Sequence, residues 1–125
     1  MAGQRNKKEY LLDARDIRPL IPTRMGCIAT DRITVDGKRV GFCYREKTNG
    51  TQPDSGWRFF AGDETDEYLD DPDKSALFCL NTIANYDRSI LSILDSPAGT
   101  AFFRDPETGE FVLDANWMEE QFDKA

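Results

Sequence analysis

The chain has 125 residues, 39% of them hydrophobic, with a formal net charge of −7, three cysteines and no histidine. That length fits one domain able to fold on its own core without a metal or disulfide, and the missing histidine excludes every His-based triad and every zinc site built on imidazole. No apolar run reaches the roughly 18 residues of a membrane span, no apolar signal-peptide core follows the basic start MAGQRNKKEY, and an acidic chain repels nucleic acid and membrane phosphates, so a cytoplasmic protein is expected.

Residues 1–9 are polar and read as a frayed end. The text YLLDARDIRPLI, from Tyr10 to Ile21, predicts a short helix that stops before Pro19, because the residue before proline avoids the α region. Residues 1–25 are therefore an N-terminal extension lying against the core. Gly26 to Val35 and Arg39 to Lys47 predict a hairpin, with Asp36-Gly37 supplying the positive φ of a tight turn. On its second strand Val40, Phe42 and Tyr44 alternate with Gly41, Cys43 and Arg45, which marks one apolar face. Ile28 and Ile33 differ in parity, which points to a bulge near Asp31-Arg32. EKTNGTQPDSG, residues 46–56, is turn-forming and polar, a loop. Trp57 and Phe59 then share one face of a strand while Arg58 and Phe60 share the other, as a central strand requires. Gly62 ends it.

Seven acids follow within residues 62–73: Asp63, Glu64, Asp66, Glu67, Asp70, Asp71 and Asp73, interrupted by Tyr68 and Leu69. Pro72 closes this loop, and Ala76 to Leu80 forms a short strand. Asn81 is placed to cap a turn, TIAN, and Asp87 to cap RSILSILD, where Ile90, Leu91, Ile93 and Leu94 form a helix stripe. Asn85 and Tyr86 fall in the turn between these pieces. Pro97 ends the helix, Gly99 to Arg104 is a strand, residues 105–109 turn, and Glu110 to Leu113 returns. The tail ANWMEEQFDKA adds a last turn of helix, with Trp117 and Phe122 packing down. The sum is an α+β fold: an antiparallel, strongly curved sheet of five or six short strands with one main helix packed on it. The core domain spans residues 26–114, and residues 115–125 form a tail packed on it.

Cys27, Cys43 and Cys79 lie far apart in strand-like text without CxxC spacing, which fits reduced, buried thiols. The acidic run fails the EF-hand pattern. From Asp63, position 3 is Thr65 and position 6 is Tyr68; from Glu64, positions 5 and 6 are Tyr68 and Leu69. No two carboxylates are placed on opposite walls of a cleft, and no GxSxG, GxxxxGK[ST] or GxGxxG occurs. The expectation is a non-enzyme with no metal and no cofactor. Charge is uneven, with 12 Lys and Arg against 7 Asp and Glu in residues 1–61, and 4 against 16 in residues 62–125. An acidic face of that kind attracts a basic partner. The expected partner surface is Trp57, Asp63, Glu64, Asp66, Glu67, Tyr68, Asp70 and Asp71, with two readings of Trp57 standing: an exposed binding anchor or a core residue beside its aromatic neighbours.

The run DSGWRFFAGDETDEYLDDPD, followed by LNTIANYD, an apolar helix and SPAGTAFFRD, with DGKRVGFCYRE before them, resembles the bacterial immunity protein 33 family, formerly a domain of unknown function. The resemblance covers about residues 26–114. It implies a non-catalytic module that neutralises a bacterial toxin, and carries over no catalytic residues. With the acidic surface, it implies a basic toxin domain as partner. The other reading of the residues is a small-ligand or divalent-metal-binding accessory domain.

Overall fold

The computed structural model describes residues 8–48 and 53–124, with side chains through residue 121. Residues 1–7 of the expected frayed end, part of the loop at 46–56 and the side chain of Phe122 lie outside that range. Ten elements follow one another: β1 Gly26–Thr30, α1 Asp31–Thr34, β2 Phe42–Arg45, β3 Asp54–Phe60, α2 Asp66–Asp70, β4 Ser75–Cys79, α3 Leu80–Tyr86, β5 Ala101–Arg104, β6 Phe111–Leu113 and α4 Ala115–Lys124. Short 3₁₀ turns stand at Ala14–Asp16, Pro72–Lys74 and Arg88–Ser92.

The six strands form one open sheet in the order β4-β1-β3-β2-β5-β6. It is α+β as expected, but two details differ. The sheet is mixed, because β1 runs parallel to β3, and it is not strongly curled. The expected hairpin between β1 and β2 does not form. Its turn signal serves another purpose: the chain leaves β1 directly into α1, and Gly37 (φ +77°) closes that helical turn, its N–H bonded to the Ile33 carbonyl at 3.2 Å. Turning inward at Asp31 buries Ile33 and Thr34, and explains the parity change that suggested a bulge. β3 then inserts between β1 and β2, pairing antiparallel with β2.

One face of the sheet is the core. Cys27 and Ala29 from β1, Cys43 from β2, Trp57 and Phe59 from β3 and Phe102 from β5 all point there by strand parity and are buried. Leu80, Ile83 and Ala84 of α3 cover them, joined by Ile90, Ile93, Ile33 and Val40. Trp57 is fully buried, so the exposed-anchor reading of this residue is corrected: its parity with Phe59 commits it to the core. On β2 the aromatic face is the one turned away from this core. Cys43 takes the core side because the large rings of β3 and β5 already fill it, and Phe42 and Tyr44 point to the opposite face. The segment after Asp87 is a 3₁₀ turn rather than the main helix. The longest helix is α4, ten residues in the tail.

Asn81 lies inside α3 instead of capping it; Cys79 holds the cap position. The amide of Asn81 accepts from the Leu20 and Ile21 N–H groups at 2.7 and 3.1 Å and donates to the Arg18 carbonyl at 2.8 Å. Asn85 brackets Arg18 with 2.9 Å bonds to its N–H and carbonyl, and the Tyr86 hydroxyl accepts from the Leu12 N–H at 3.1 Å. These side chains hold the segment before β1 as a strap on α3. The expected helix in that strap shrinks to the turn Ala14–Asp16.

The parallel pairing requires a bulge. Gly26 faces Asp54 and Ile28 faces Arg58, so β3 carries extra residues in between. Gly56 sits there with φ +90°, and a Cβ on it would lie 2.2 Å from the Glu46 carbonyl oxygen. We predict that Gly56→Ala lowers stability by about 3 kcal/mol, from forced φ plus the clash. Urea unfolding measures this, and a loss below about 1 kcal/mol would show a bulge able to relax.

Candidate functional site, an acid-rimmed aromatic groove

The second face of the sheet is only partly covered. Ile28, Phe42, Tyr44 and Phe60 stand on it as half-buried side chains. Tyr44 stacks on Phe60 with ring centroids 5.8 Å apart and 16° between planes. Trp117, carried over the sheet by α4, stacks on Tyr44 at 4.7 Å and meets Phe42 edge-on at 6.2 Å. Between this wall and the acidic segment lies a groove of about 480 Å³, also lined by Thr30, Glu64, Tyr68, Leu69, Asp71 and Lys74. On the far side of the Tyr44–Trp117 stack, a second depression of about 560 Å³ reaches Arg45, Lys47 and Gln121.

The acidic segment is folded rather than self-repelling. Thr65 caps α2, its Oγ1 accepting from the Tyr68 N–H at 3.1 Å. Asp66 and Glu67 occupy the first turn, where carboxylates favour the positive end of the helix. Asp71 accepts from the Asp73 N–H at 2.9 Å and starts the 3₁₀ turn, with Pro72 at its first position.

The acids divide into two groups. Asp63 clamps Arg32 through two bonds, 3.0 Å from Nε and 2.5 Å from Nη2, and the Arg32 hydrogen bond holds the Asp63 carboxyl below the usual carboxylate range. Glu64 ties the lip of the groove together, accepting from Thr30 Oγ1 at 2.5 Å and from the Ala61 and Gly62 N–H groups at 2.8 Å each. Asp66, Glu67, Asp70 and Asp71 enter no ion pair among the described residues. The first three are exposed on α2. No group of three or more His, Cys, Asp or Glu that could hold a metal occurs among the described residues.

Of the expected surface, then, Tyr68, Glu64 and Asp71 line the groove, Asp66, Glu67 and Asp70 stand beside it, Asp63 faces Arg32, and Trp57 lies across the sheet in the core. Phe42, Tyr44, Phe60 and Trp117 were missed as site residues. The period-two spacing of Phe42 and Tyr44 was the available signal, but it does not say which face of the sheet they stand on. Nothing in the tail placed Trp117 against them.

Burial, then the charges of Asp31, Asp36 and Glu64, push the Tyr68 hydroxyl up to about 12. Burial, then Glu46, raises Tyr44 as well, so both phenols stay neutral. Burial pushes the Cys27 and Cys43 thiols up to about 12, away from nucleophilic thiolate. Cys79 is exposed, a correction to the expectation of three buried thiols. What remains is aromatic area inside a negative field. No helix among the described residues is long and apolar enough to cross a membrane.

A family model described as the immunity protein Imm33 domain matches residues 27–114. No curated protein matches the chain. No solved structure matches it either.

Proposed function

Since the chain belongs to the immunity protein Imm33 family, we propose that it neutralises a cognate toxin by non-catalytic binding, in the cytoplasm, through the groove between α2 and α4. The partner is a basic toxin domain. Tyr68, Asp70 and Asp71 form one side of the contact, with Asp66 and Glu67 as outer charges. Asp63 and Glu64 contribute field while holding the lip in shape. The observation that carries this reading is the set of four acids without ion pairs among the described residues, placed beside half-buried rings. Charges of that kind steer a basic partner and raise its association rate, and the rings supply contact area once it arrives.

The test is a variant with Asp66, Glu67, Asp70 and Asp71 changed to their amides, measured against a toxin captured with the wild-type chain. The expected result is an association rate lower by about tenfold at low salt and a flattened salt dependence, with the fold intact. An unchanged rate and salt slope would sink the assignment of this surface. A second reading, a small-ligand accessory domain, is favoured only by the groove volume, which lies in the range of ligand sites.

A further inference from the structure

We propose that the groove is a receptor for one arginine side chain of the partner, its guanidinium laid on the rings of Tyr44, Phe60 and Trp117 and its charge met by the rim acids. This inference rests on the reading of the groove as the partner surface and names the chemistry it takes.

The rings come first. The three rings form a stack, Tyr44 and Phe60 with 16° between planes and Trp117 29° from Tyr44, and all three line the groove. The inner faces are spent on one another, so a cation meets what the stack leaves open to the groove, and guanidinium, flat and weakly hydrated, extends such a stack better than a compact ammonium does. Charge comes second. Three neighbouring cations are already paired: Lys8 with Asp31, Arg32 with Asp36 and Asp63, and Arg58 with Glu46 and Asp54. On the rim, Glu64 and Asp71 outnumber the single cation Lys74, and Asp70 stands next to them. The hydrogen bonds to Glu64 and Asp71 come from neutral donors and leave the negative charge uncancelled, so a cation suits this rim better than an apolar plug. Third, the groove already holds a cation of its own. The Lys74 ammonium lies 5.8 Å from the centroid of the Tyr68 ring. It occupies one edge of the site as an internal competitor, which fixes the sign of one variant in advance.

The experiment titrates the full chain with acetyl-Arg-Arg-amide and, separately, with its citrulline counterpart, which keeps shape and loses charge. The readout is the indole N–H signals of the two tryptophans by NMR. Trp117 reports the groove and Trp57 the opposite face. The expected result is a saturable shift at Trp117 with Trp57 silent, and binding of the citrulline peptide about tenfold weaker. Asp70→Asn with Asp71→Asn should weaken the arginine peptide by several-fold, and Lys74→Gln should tighten it by about threefold. Lys74 is exposed, so this variant tests the site without threatening the fold.

No saturable shift, equal binding of both peptides, a response at Trp57, or weaker binding in Lys74→Gln would each overturn the proposal. So would a Trp117 signal that moves with protein concentration alone, since a second copy of the chain then fills the groove. The two readings fail separately. If the chain still protects against its toxin when Tyr44→Ala is folded but no longer binds the arginine peptide, the groove assignment fails and the immunity role stands. If the peptide binds as expected but no toxin is neutralised, the reverse holds.

Discussion

Replacing Trp57 with alanine is expected to remove about 3–5 kcal/mol of folding stability, the range for emptying a buried indole site. The ring is 0% exposed. It stacks near Phe59 with 5.9 Å between centroids and meets Phe102 at 6.4 Å, while the Arg45 guanidinium lies 5.8 Å from its centroid. Arg45 is held there by bonds to the Ser55 carbonyl at 2.9 Å and the Ser96 carbonyl at 2.8 Å, so it cannot readily move into the void. The indole N–H reaches the Leu94 carbonyl only at 3.4 Å, so most of the loss is packing rather than hydrogen bonding. A domain of this size holds about 5–15 kcal/mol in all, and the variant keeps a small part of it. Unfolding followed by circular dichroism measures the loss without using the deleted fluorophore. A loss below about 1.5 kcal/mol would mean that the ring does not fill this site in solution.

Asp87→Ala is expected to be as damaging, at about 3–5 kcal/mol, for a different reason. The carboxylate is buried at the junction of α3 and the following 3₁₀ turn. It accepts from the Val40 N–H at 2.9 Å, from the Ser89 N–H at 3.1 Å and Oγ at 2.5 Å, and from Arg104 Nη2 at 2.8 Å. Arg104 in turn donates to the Val40 carbonyl at 2.8 Å and the Gly109 carbonyl at 2.7 Å, and lies 4.4 Å over the Phe111 ring. The side chains of the pair are 10% and 6% exposed, too dry for solvent to replace the lost partner. Removing Asp87 leaves a largely buried cation, the buried Val40 N–H and the half-buried Ser89 N–H without their acceptor. The double variant Asp87→Ala, Arg104→Met should lose less than the two single losses added together, by more than about 1 kcal/mol. Additive losses would show that the two side chains do not act as a unit. The cap at Asp87 was legible in the sequence; its second role, joining the segment before β2, α3 and β5, was not, because Val40 and Arg104 are distant in the chain.

The same division runs through the fold. Local signals succeeded where the chain answers to its neighbours: the alternation of Trp57 and Phe59, the end of β3 at Gly62, the turn at 105–109 and the return strand. They failed where one signal serves two structures. Asp36-Gly37 supplies positive φ, and a helix end uses that as readily as a hairpin does. Phe42 and Tyr44 marked an apolar face correctly, but parity cannot say which of two apolar faces the helices cover. Cys43 wins the core because Trp57, Phe59 and Phe102 leave room only for a small residue beside them. Half of the candidate site was legible as acids and Tyr68. The aromatic half depended on that choice of face and on α4 carrying Trp117 back across the sheet. Asn81, Asn85 and Tyr86 looked like turn residues because the strap they bind lies more than 60 positions earlier.

The order of the strands also sets the order in which the chain can assemble. β2 and β3 are the first sequence neighbours that pair, across a short connection. β1 is made before both and has no partner until β3 exists, and its other neighbour, β4, comes later still. Joining β1 to β3 closes a loop of about 28 residues, and that entropy is spent before the contacts that compensate for it are formed. The β2–β3 pair, at the centre of the sheet, is therefore the pairing that costs least to close, and the sheet is completed outward from it. An emerging polypeptide of this kind stays open until α3 has left the ribosome, since only then do Ile83 and Ala84 roof the rings of β3.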